Sequence, residues 1–194
     1  MTSELFFSFS LVIYYATHSL LAEPRIKEWL QTRLIAARWY RLFYNLVAIT
    51  TLLPIIYWFV LIPQQQLWTS FWLNQSVGGI LLLSGIIILF LALRNYNLSE
   101  FSGTQQLKDT PFPNLLQTNG LNAYVRHPLY SAALLIFWGY FIYQPHLPAL
   151  ILAGVSTAYI VIGATLEERK LVEVFGESYK QYQRDTPMLI PSFL

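Results

Sequence analysis

The chain has 194 residues, of which 55% are hydrophobic and only 11% are charged, and its mean hydropathy is +0.45. A soluble domain carries roughly a quarter charged residues, so this composition excludes an ordinary water-soluble protein and indicates helices that face lipid. The chain has no cysteine, which excludes disulfides, zinc-thiolate sites, iron–sulfur clusters and a cysteine nucleophile. The net charge of +2 indicates a basic surface near anionic lipid headgroups rather than a nucleic-acid interface.

Five apolar segments predict an all-α membrane protein with about five transmembrane helices, since about 20 apolar residues span the hydrocarbon core of a bilayer. The first segment has no basic residues before it and no small-residue cleavage site, so we expect a retained helix rather than a secretory signal. The fourth segment is short. The segments cover residues 6–21, 42–62, 77–93, 129–143 and 147–166.

Three polar stretches connect or follow these segments. Residues 23–41 mix Arg and Gln with Leu and Trp, and they predict an interfacial helix on the cytoplasmic leaflet. Residues 95–125 form the longest polar connection, of a length typical of binding loops. After Glu167, apolar side chains at Leu171, Phe175 and Tyr179 predict an amphipathic tail helix, which Gly176 bends or ends.

The basic residues predict an orientation in the membrane. All 12 Lys and Arg residues lie in the connection after the first segment, in the connection after the third, or after the fifth, and the stretches 63–76 and 144–146 contain none. Since cytoplasmic loops hold an excess of Lys and Arg, we expect the N-terminus outside and the C-terminus in the cytoplasm. We expect one domain over residues 1–194, with three spans in 1–93 and the loop, last hairpin and tail in 94–194.

Two polar motifs lie at the two ends of the predicted hairpin formed by the last two spans. The motif Arg-His-Pro-Leu-Tyr at 126–130 opens the fourth segment, and Glu167 and Glu168 close the fifth. Because the hairpin returns both motifs to one membrane face, we expect a polar pocket there. Pro128 suits the first position of a helix, whose N–H groups and dipole attract an anion. The alternatives are a basic flank with a helix-start proline, and a surface ion pair between Glu167 and Lys170.

His18 is a polar residue near the end of the first predicted span. Polar side chains inside spans usually face the bundle interior, so we expect His18 to hydrogen-bond there or to line a substrate entrance. Together with His127 it is also compatible with a haem, metal or quinone module. Two histidines without a third protein ligand make a poor metal site, so no metal is predicted.

The motifs together resemble the integral-membrane methyltransferases. This family includes isoprenylcysteine carboxyl methyltransferase, phospholipid N-methyltransferases and the bacterial NnrU-like and methanethiol S-methyltransferase branch. The resemblance to that bacterial branch also rests on residues 18–22, 38–41 and 100–103. The main motifs are Gly-Leu-Asn-Ala-Tyr-Val-Arg-His-Pro-Leu-Tyr at 120–130, and Glu167-Glu168-x-x-Leu171-x-x-x-Phe175-Gly176-x-x-Tyr179-x-x-Tyr182 followed by Pro187.

The resemblance implies S-adenosylmethionine as methyl donor, bound at the cytoplasmic face between the last hairpin and the tail. It implies no metal, since displacement at a sulfonium methyl group depends on alignment of the reactants and exclusion of water. We predict catalytic roles for Arg126, which could favour an acceptor thiolate, and for His18. The residues expected to contact the donor are Gln106, Asn114, Leu115, Leu116, Gln117, His127, Pro128, Leu129, Tyr130, Glu167 and Glu168.

The acceptor is predicted to be a small apolar or lipid-like molecule that arrives through the lipid, with a thiol favoured. Prenylcysteine enzymes have an arginine where this chain has Val-Ile-Gly at 161–163, and a tyrosine where it has Asn122. Both differences disfavour an isoprenylcysteine carboxylate, which remains an alternative acceptor together with a phospholipid amine. The alternative in another class is a non-catalytic membrane protein that binds or senses a ligand.

Overall fold

The computed structural model describes residues 2–94 and 116–191, and within those residues the regular structure is helical. The residues 106, 114 and 115 predicted to contact the donor, and the motif at 100–103, lie outside the described residues. The helices are α1 (Thr2–Ala22), α2 (Pro24–Arg33), α3 (Ala37–Leu61), α4 (Trp72–Arg94), a short 3₁₀ helix (Gly120–Ala123), α5 (Pro128–Tyr143), α6 (Leu147–Phe175) and α7 (Glu177–Asp185).

Within the described residues, four helices are long and apolar enough to cross a membrane, namely α1, α3, α4 and α6. Helix α5 is also apolar but has only 16 residues. At a rise of 1.5 Å per residue it is about 24 Å long, which is less than the thickness of the hydrocarbon core. The predicted all-α membrane fold is therefore confirmed, and the orientation of the helices stays a prediction.

The described residues form two compact units. The first contains residues 2–64, in which α1 packs along α3. Phe6 stacks on Trp58 with ring centroids 5.8 Å apart, and the fully buried Phe7 lies 5.7 Å from Phe59. The hydroxyl of Tyr40 donates a hydrogen bond to the carbonyl of Leu21. These contacts fix the two long helices of this unit side by side.

The predicted interfacial helix over residues 23–41 is wrong in its extent. Helix α2 ends at Arg33, and the basic residues Arg38 and Arg41 belong to the first turns of α3. The amides of Leu34 and Ile35 both donate to the carbonyl of Leu30, at 2.9 Å each, which closes the last turn of α2. The chain then extends through Ala36 before α3 begins.

The second unit contains residues 65–94 and 116–191, so α4 belongs with the last hairpin rather than with the first two long helices. Helices α4 and α5 touch at the backbone. A Cβ atom on Gly78 would lie 2.3 Å from the amide nitrogen of Tyr143, and one on Gly139 would lie 2.5 Å from that of Leu82. Only glycine permits so close an approach, which is how helices often associate in membranes.

Helices α5 and α6 form the predicted hairpin, and its turn is held by a short extended segment. The amide of Leu67 donates to the carbonyl of Pro145 (2.8 Å), and that of Leu147 donates to the carbonyl of Gln65 (3.1 Å). Along the hairpin, the indole N–H of Trp138 donates to the hydroxyl of Thr157 at 2.9 Å. With the turn fixed, the start of α5 lies beside the point where α6 becomes polar, at residues 167 and 168.

Helix α6 runs past the predicted end of the fifth span and continues to Phe175. The first half of the predicted tail helix, from Glu167, is therefore the end of α6. Gly176 interrupts the helix, as predicted, and α7 begins at the next residue. Gly176 has φ 59° and ψ −131°, a backbone conformation that glycine adopts with little strain. The polar residues that follow the apolar stretch are good helix formers, so the helix continues after the hydrophobic segment has ended.

Candidate functional site

Five polar side chains meet where α5 begins and α6 leaves the apolar region, and we call them the hairpin cluster. Pro128 occupies the first position of α5, as predicted, so the residues before it and in its first turn lie at the end of the helix. The imidazole of His127 stacks on the ring of Tyr130, with centroids 5.3 Å apart. The members of the cluster are Arg126, His127, Tyr130, Glu167 and Glu168.

Glu168 points into the protein and is fully engaged there. Its side chain is 11% exposed, and its Oε1 atom lies 2.6 Å from Nε of Arg126 and 3.2 Å from Nε2 of His127. The side-chain amide of Gln183 on α7 donates to Oε2 at 2.9 Å. A buried carboxylate is costly unless it is paired and hydrogen-bonded, and this one has three partners.

Glu167 points outward and keeps an accessible carboxylate. Its side chain is 46% exposed, and the hydroxyl of Tyr130 donates to its Oε2 atom at 2.8 Å. The same oxygen lies 3.8 Å from Nδ1 of His127, which is beyond hydrogen-bond distance. The predicted juxtaposition of the two ends of the hairpin is therefore confirmed, and Glu167 is the acid that a ligand can reach.

The C-terminal segment, residues 183–189, lies along the start of α5, and its backbone carbonyls accept hydrogen bonds from polar groups there. The guanidinium of Arg126, whose side chain is 9% exposed, donates to the carbonyls of Gln183 and Thr186 as well as to Glu168. The backbone amides of Arg126 and His127, which precede the helix, are also hydrogen-bonded to this segment. They donate to the carbonyls of Pro187 (2.9 Å) and Met188 (3.1 Å), and the hydroxyl of Ser131 donates to that of Leu189 (2.6 Å).

The 3₁₀ helix before α5 is tied to the same region by Asn122. Its side-chain amide donates to the carbonyl of Arg126 at 3.2 Å, and its own carbonyl accepts a hydrogen bond from the hydroxyl of Tyr182. Asn122 is one of the two positions where the chain departs from the prenylcysteine pattern. In this fold it orders the connection into the hairpin cluster.

Tyr179 on α7 is buried with only 1% of its surface exposed, and its hydroxyl has no hydrogen-bond partner among the described residues. Burial raises the pKa of this hydroxyl, and the negative charge of Glu168 raises it further. The ring contacts that of Tyr182 edge to face, with centroids 5.8 Å apart. In the sequence, Tyr179 belongs both to the apolar stripe of the tail and to the Phe-Gly-x-x-Tyr part of the family motif, and neither pattern predicts a buried hydroxyl without a partner.

The structure describes four other residues that are predicted to contact the donor. Pro128 is fully buried and Leu129 is half-buried in the first turn of α5. Leu116 is half-buried and Gln117 is exposed in the segment that leads to the 3₁₀ helix. The predicted contacts with a methyl donor stay predictions for all of them.

His18 lies in the first unit and is hydrogen-bonded inside it, as expected for a polar residue in a span. The hydroxyl of Tyr44 lies 2.7 Å from its Nε2 atom, and the ring of Tyr14 stacks on it with centroids 6.0 Å apart. The guanidinium of Arg41 lies 5.5 Å from the centroid of the Tyr44 ring. The catalytic role of His18 stays a prediction.

Among the residues that the structure describes, no group of three or more His, Asp or Glu side chains is arranged to hold a metal ion. The buried polar groups of the hairpin cluster are instead paired with one another and with backbone carbonyls.

Comparison with known proteins gives a consistent family. A family model described as "NnrU protein" matches residues 6–191. Over 201 residues the chain is 29% identical to a methanethiol S-methyltransferase of Pseudomonas deceptionensis, covering 94% of this chain and 70% of that one. The identity is 31% over 193 residues to the protein of the same name from Crocosphaera subtropica, with 93% and 72% coverage.

A shorter match joins the chain to a second kind of methyltransferase. Over 86 residues it is 37% identical to the protein-S-isoprenylcysteine O-methyltransferase of Schizosaccharomyces pombe, which covers 40% of this chain and 34% of that one. No solved structure matches the chain at a significant level.

Proposed function

Since the chain belongs to the NnrU protein family and is a methyltransferase, we propose that it transfers a methyl group from S-adenosylmethionine to a small thiol. The two methanethiol S-methyltransferases described above match 94% and 93% of this chain, whereas the isoprenylcysteine relative matches 40% of it. That difference supports a small thiol over a prenylated carboxylate. The departures at 161–163 and at Asn122 support the same choice.

The hairpin cluster fits an organic cation with hydroxyl groups. When bound, S-adenosylmethionine supplies an electrophilic methyl group on a positively charged sulfur. The accessible carboxylate of Glu167, oriented by the hydroxyl of Tyr130, is suited to accept hydrogen bonds from ribose hydroxyls or from an ammonium group. His127 is held by Glu168 and stacks on the ring of Tyr130. It therefore helps to fix the position of Tyr130, whose hydroxyl orients the Glu167 carboxylate.

Arg126 is assigned a positioning role in this proposal. Its guanidinium is buried against Glu168 and two backbone carbonyls, so it fixes the inner carboxylate and the C-terminal segment at once. Stabilisation of an acceptor thiolate, as predicted from the sequence, would require Arg126 to release these partners. The methyl transfer itself needs the acceptor sulfur in line with the methyl group and water excluded, which a rigid site supplies.

The membrane gives the acceptor a route that does not pass through the aqueous side. Within the described residues, four helices have the length and apolar character of membrane spans, so the protein is in contact with lipid. A small apolar thiol dissolves in lipid and can reach the site from there. We place the site at the cytoplasmic face of a bacterial inner membrane, because every Lys and Arg falls in segments that the positive-inside rule assigns to that face.

The accessible carboxylate of Glu167 is the observation that carries the proposal, and calorimetry of the detergent-purified protein with S-adenosylmethionine tests it. We expect wild-type binding that Glu167→Gln weakens about 10-fold to 100-fold, as loss of hydrogen bonds to a charged group predicts. Glu173→Gln is the matched control, since Glu173 is an exposed acid on the same helix outside the cluster.

The reaction is then followed with donor carrying a labelled methyl group and methanethiol as acceptor. Labelled dimethyl sulfide that appears with wild type and decreases with Glu167→Gln supports the proposal. Absence of donor binding by the wild-type protein contradicts it. Binding without transfer to a thiol, but with transfer to a prenylcysteine or phospholipid, moves the acceptor to one of the alternative classes.

A further inference from the structure

Tyr179 carries a polar group that the fold buries without satisfying it. Its side chain is 1% exposed, and its hydroxyl meets no hydrogen-bond partner in residues 2–94 and 116–191. A buried hydroxyl without a partner costs free energy, whereas phenylalanine would fill the same space at no such cost. Buried polar groups in native proteins are nearly always hydrogen-bonded, so the Tyr179 hydroxyl calls for a partner.

The position of Tyr179 places that hydroxyl at the hairpin cluster. Helix α7 is joined to the cluster by Gln183, whose side-chain amide donates to Glu168 at 2.9 Å. Gln183 lies four residues after Tyr179 and therefore on the same face of α7. Burial raises the pKa of the Tyr179 hydroxyl and the charge of Glu168 raises it further, in keeping with that position. Tyr179 is thus on the face of α7 that is joined to the hairpin cluster.

Tyr182, one turn further along the same face of α7, shows the contrasting case. It is also buried, with 8% of its surface exposed, but its hydroxyl donates to the carbonyl of Asn122. The hydroxyl of Tyr182 therefore stabilises the protein itself. Two neighbouring tyrosines on one helix thus differ in whether the fold provides a partner.

We propose that the hydroxyl of Tyr179 donates a hydrogen bond to the bound methyl donor, and that Tyr179 is a ligand-contacting residue of the site. This inference rests on the proposed function, because it takes S-adenosylmethionine as the ligand of the hairpin cluster. Burial, followed by the charge of Glu168, raises the pKa of the hydroxyl, so it stays protonated and is available as a donor to an oxygen or nitrogen acceptor of the ligand.

The test compares Tyr179→Phe with Tyr182→Phe in the purified full-length protein. Thermal unfolding is measured without ligand, and affinity is measured by calorimetry with S-adenosylmethionine. We expect Tyr179→Phe to unfold at the wild-type temperature or higher, because it removes a hydroxyl without a partner. We expect the same variant to bind the donor about 5-fold to 20-fold more weakly, as loss of one hydrogen bond predicts.

Tyr182→Phe is expected to behave in the opposite way, with a lower unfolding temperature because the bond to Asn122 is lost. Wild-type affinity in Tyr179→Phe would overturn the inference while leaving the proposed function intact. A fall in unfolding temperature as large as that of Tyr182→Phe would overturn it too, since the hydroxyl would then have a partner in the protein. Absence of donor binding by the wild type would remove the proposed function and this inference together.

Discussion

Glu167 and Glu168 are adjacent in sequence and have opposite environments. Consecutive residues of an α-helix point about 100° apart, so one acid of the pair faces α5 and α7 while the other faces outward. The side-chain exposures of 46% and 11% express this difference. The inner acid holds the site together, and the outer one is left to meet a ligand.

This division of roles predicts different consequences for the two isosteric substitutions. Glu168→Gln leaves the buried guanidinium of Arg126 without a counter-charge, so we expect a loss of about 3 kcal/mol in the free energy of unfolding. Glu167→Gln changes a half-exposed side chain, so we expect less than about 0.5 kcal/mol. Thermal and chemical unfolding of both variants in one detergent checks this.

Equal destabilisation by the two variants would contradict the assignment of an inner and an outer acid. A stable Glu168→Gln protein would show that the hydrogen bonds from His127 and Gln183 suffice without the charge. The exposed Glu173→Gln variant sets the scale for a neutral change on α6.

The sequence pattern could identify the residues of the hairpin cluster but not their partners. The five cluster residues belong to two short motifs, and the apolar segments between these motifs are long enough to form a hairpin that brings them together. The partners of Arg126 lie 57 and 60 residues away at Gln183 and Thr186, and they are backbone carbonyls. Every residue type has a backbone carbonyl, so no pattern of side chains predicts that contact.

At the scale of whole helices, α4 and α5 pack through glycines whose place a larger residue cannot take. Glycine in an apolar segment is common and does not by itself predict a helix contact. The apolar length of α4 predicted a span correctly, but the same length is compatible with any neighbour. The partner helix depends on which faces fit, and that information is distributed over both helices.

Gly78 and Gly79 are neighbours on α4 that separate this contact from the effect of replacing glycine in a helix. A Cβ on Gly78 would lie 2.3 Å from a backbone nitrogen, whereas one on Gly79 would come no closer than 3.9 Å to a side-chain atom. We expect Gly78→Ala to lower the free energy of unfolding by about 1–3 kcal/mol. Gly79→Ala should be neutral or slightly stabilising. Unfolding in detergent measures both, and similar effects would contradict the close packing of α4 on α5.

Helix ends were the least accurate part of the sequence prediction. An apolar segment shows which residues are suited to the hydrocarbon core, whereas a helix continues for as long as its backbone hydrogen bonds do. Helix α6 therefore continues nine residues beyond the predicted end at 166, and α2 stops at Arg33 although the basic stretch continues. Gly176 was placed correctly because a positive φ angle has its own residue preference.

At the scale of the whole molecule, the distribution of basic residues is the strongest regularity in the chain. None of the 12 Lys and Arg residues lies in the two connections at 63–76 and 144–146. The structure joins these two connections in one place, because the amide of Leu67 bonds to Pro145 and that of Leu147 bonds to Gln65. These connections lie at the turn between α5 and α6, and the hairpin cluster lies at the opposite end of the same two helices. The end of the hairpin without basic residues is therefore the one far from the cluster.

That arrangement predicts that Gln65 and Ser178 lie on opposite sides of the membrane. The chain contains no cysteine, so Gln65→Cys and Ser178→Cys each introduce a single thiol at an exposed position. In intact bacterial cells with the outer membrane permeabilised, a membrane-impermeant maleimide should label Gln65→Cys. It should label Ser178→Cys only after the inner membrane is opened, because the positive-inside rule places the basic tail in the cytoplasm. Labelling with the reverse pattern would put the hairpin cluster on the outer face and contradict a cytoplasmic site.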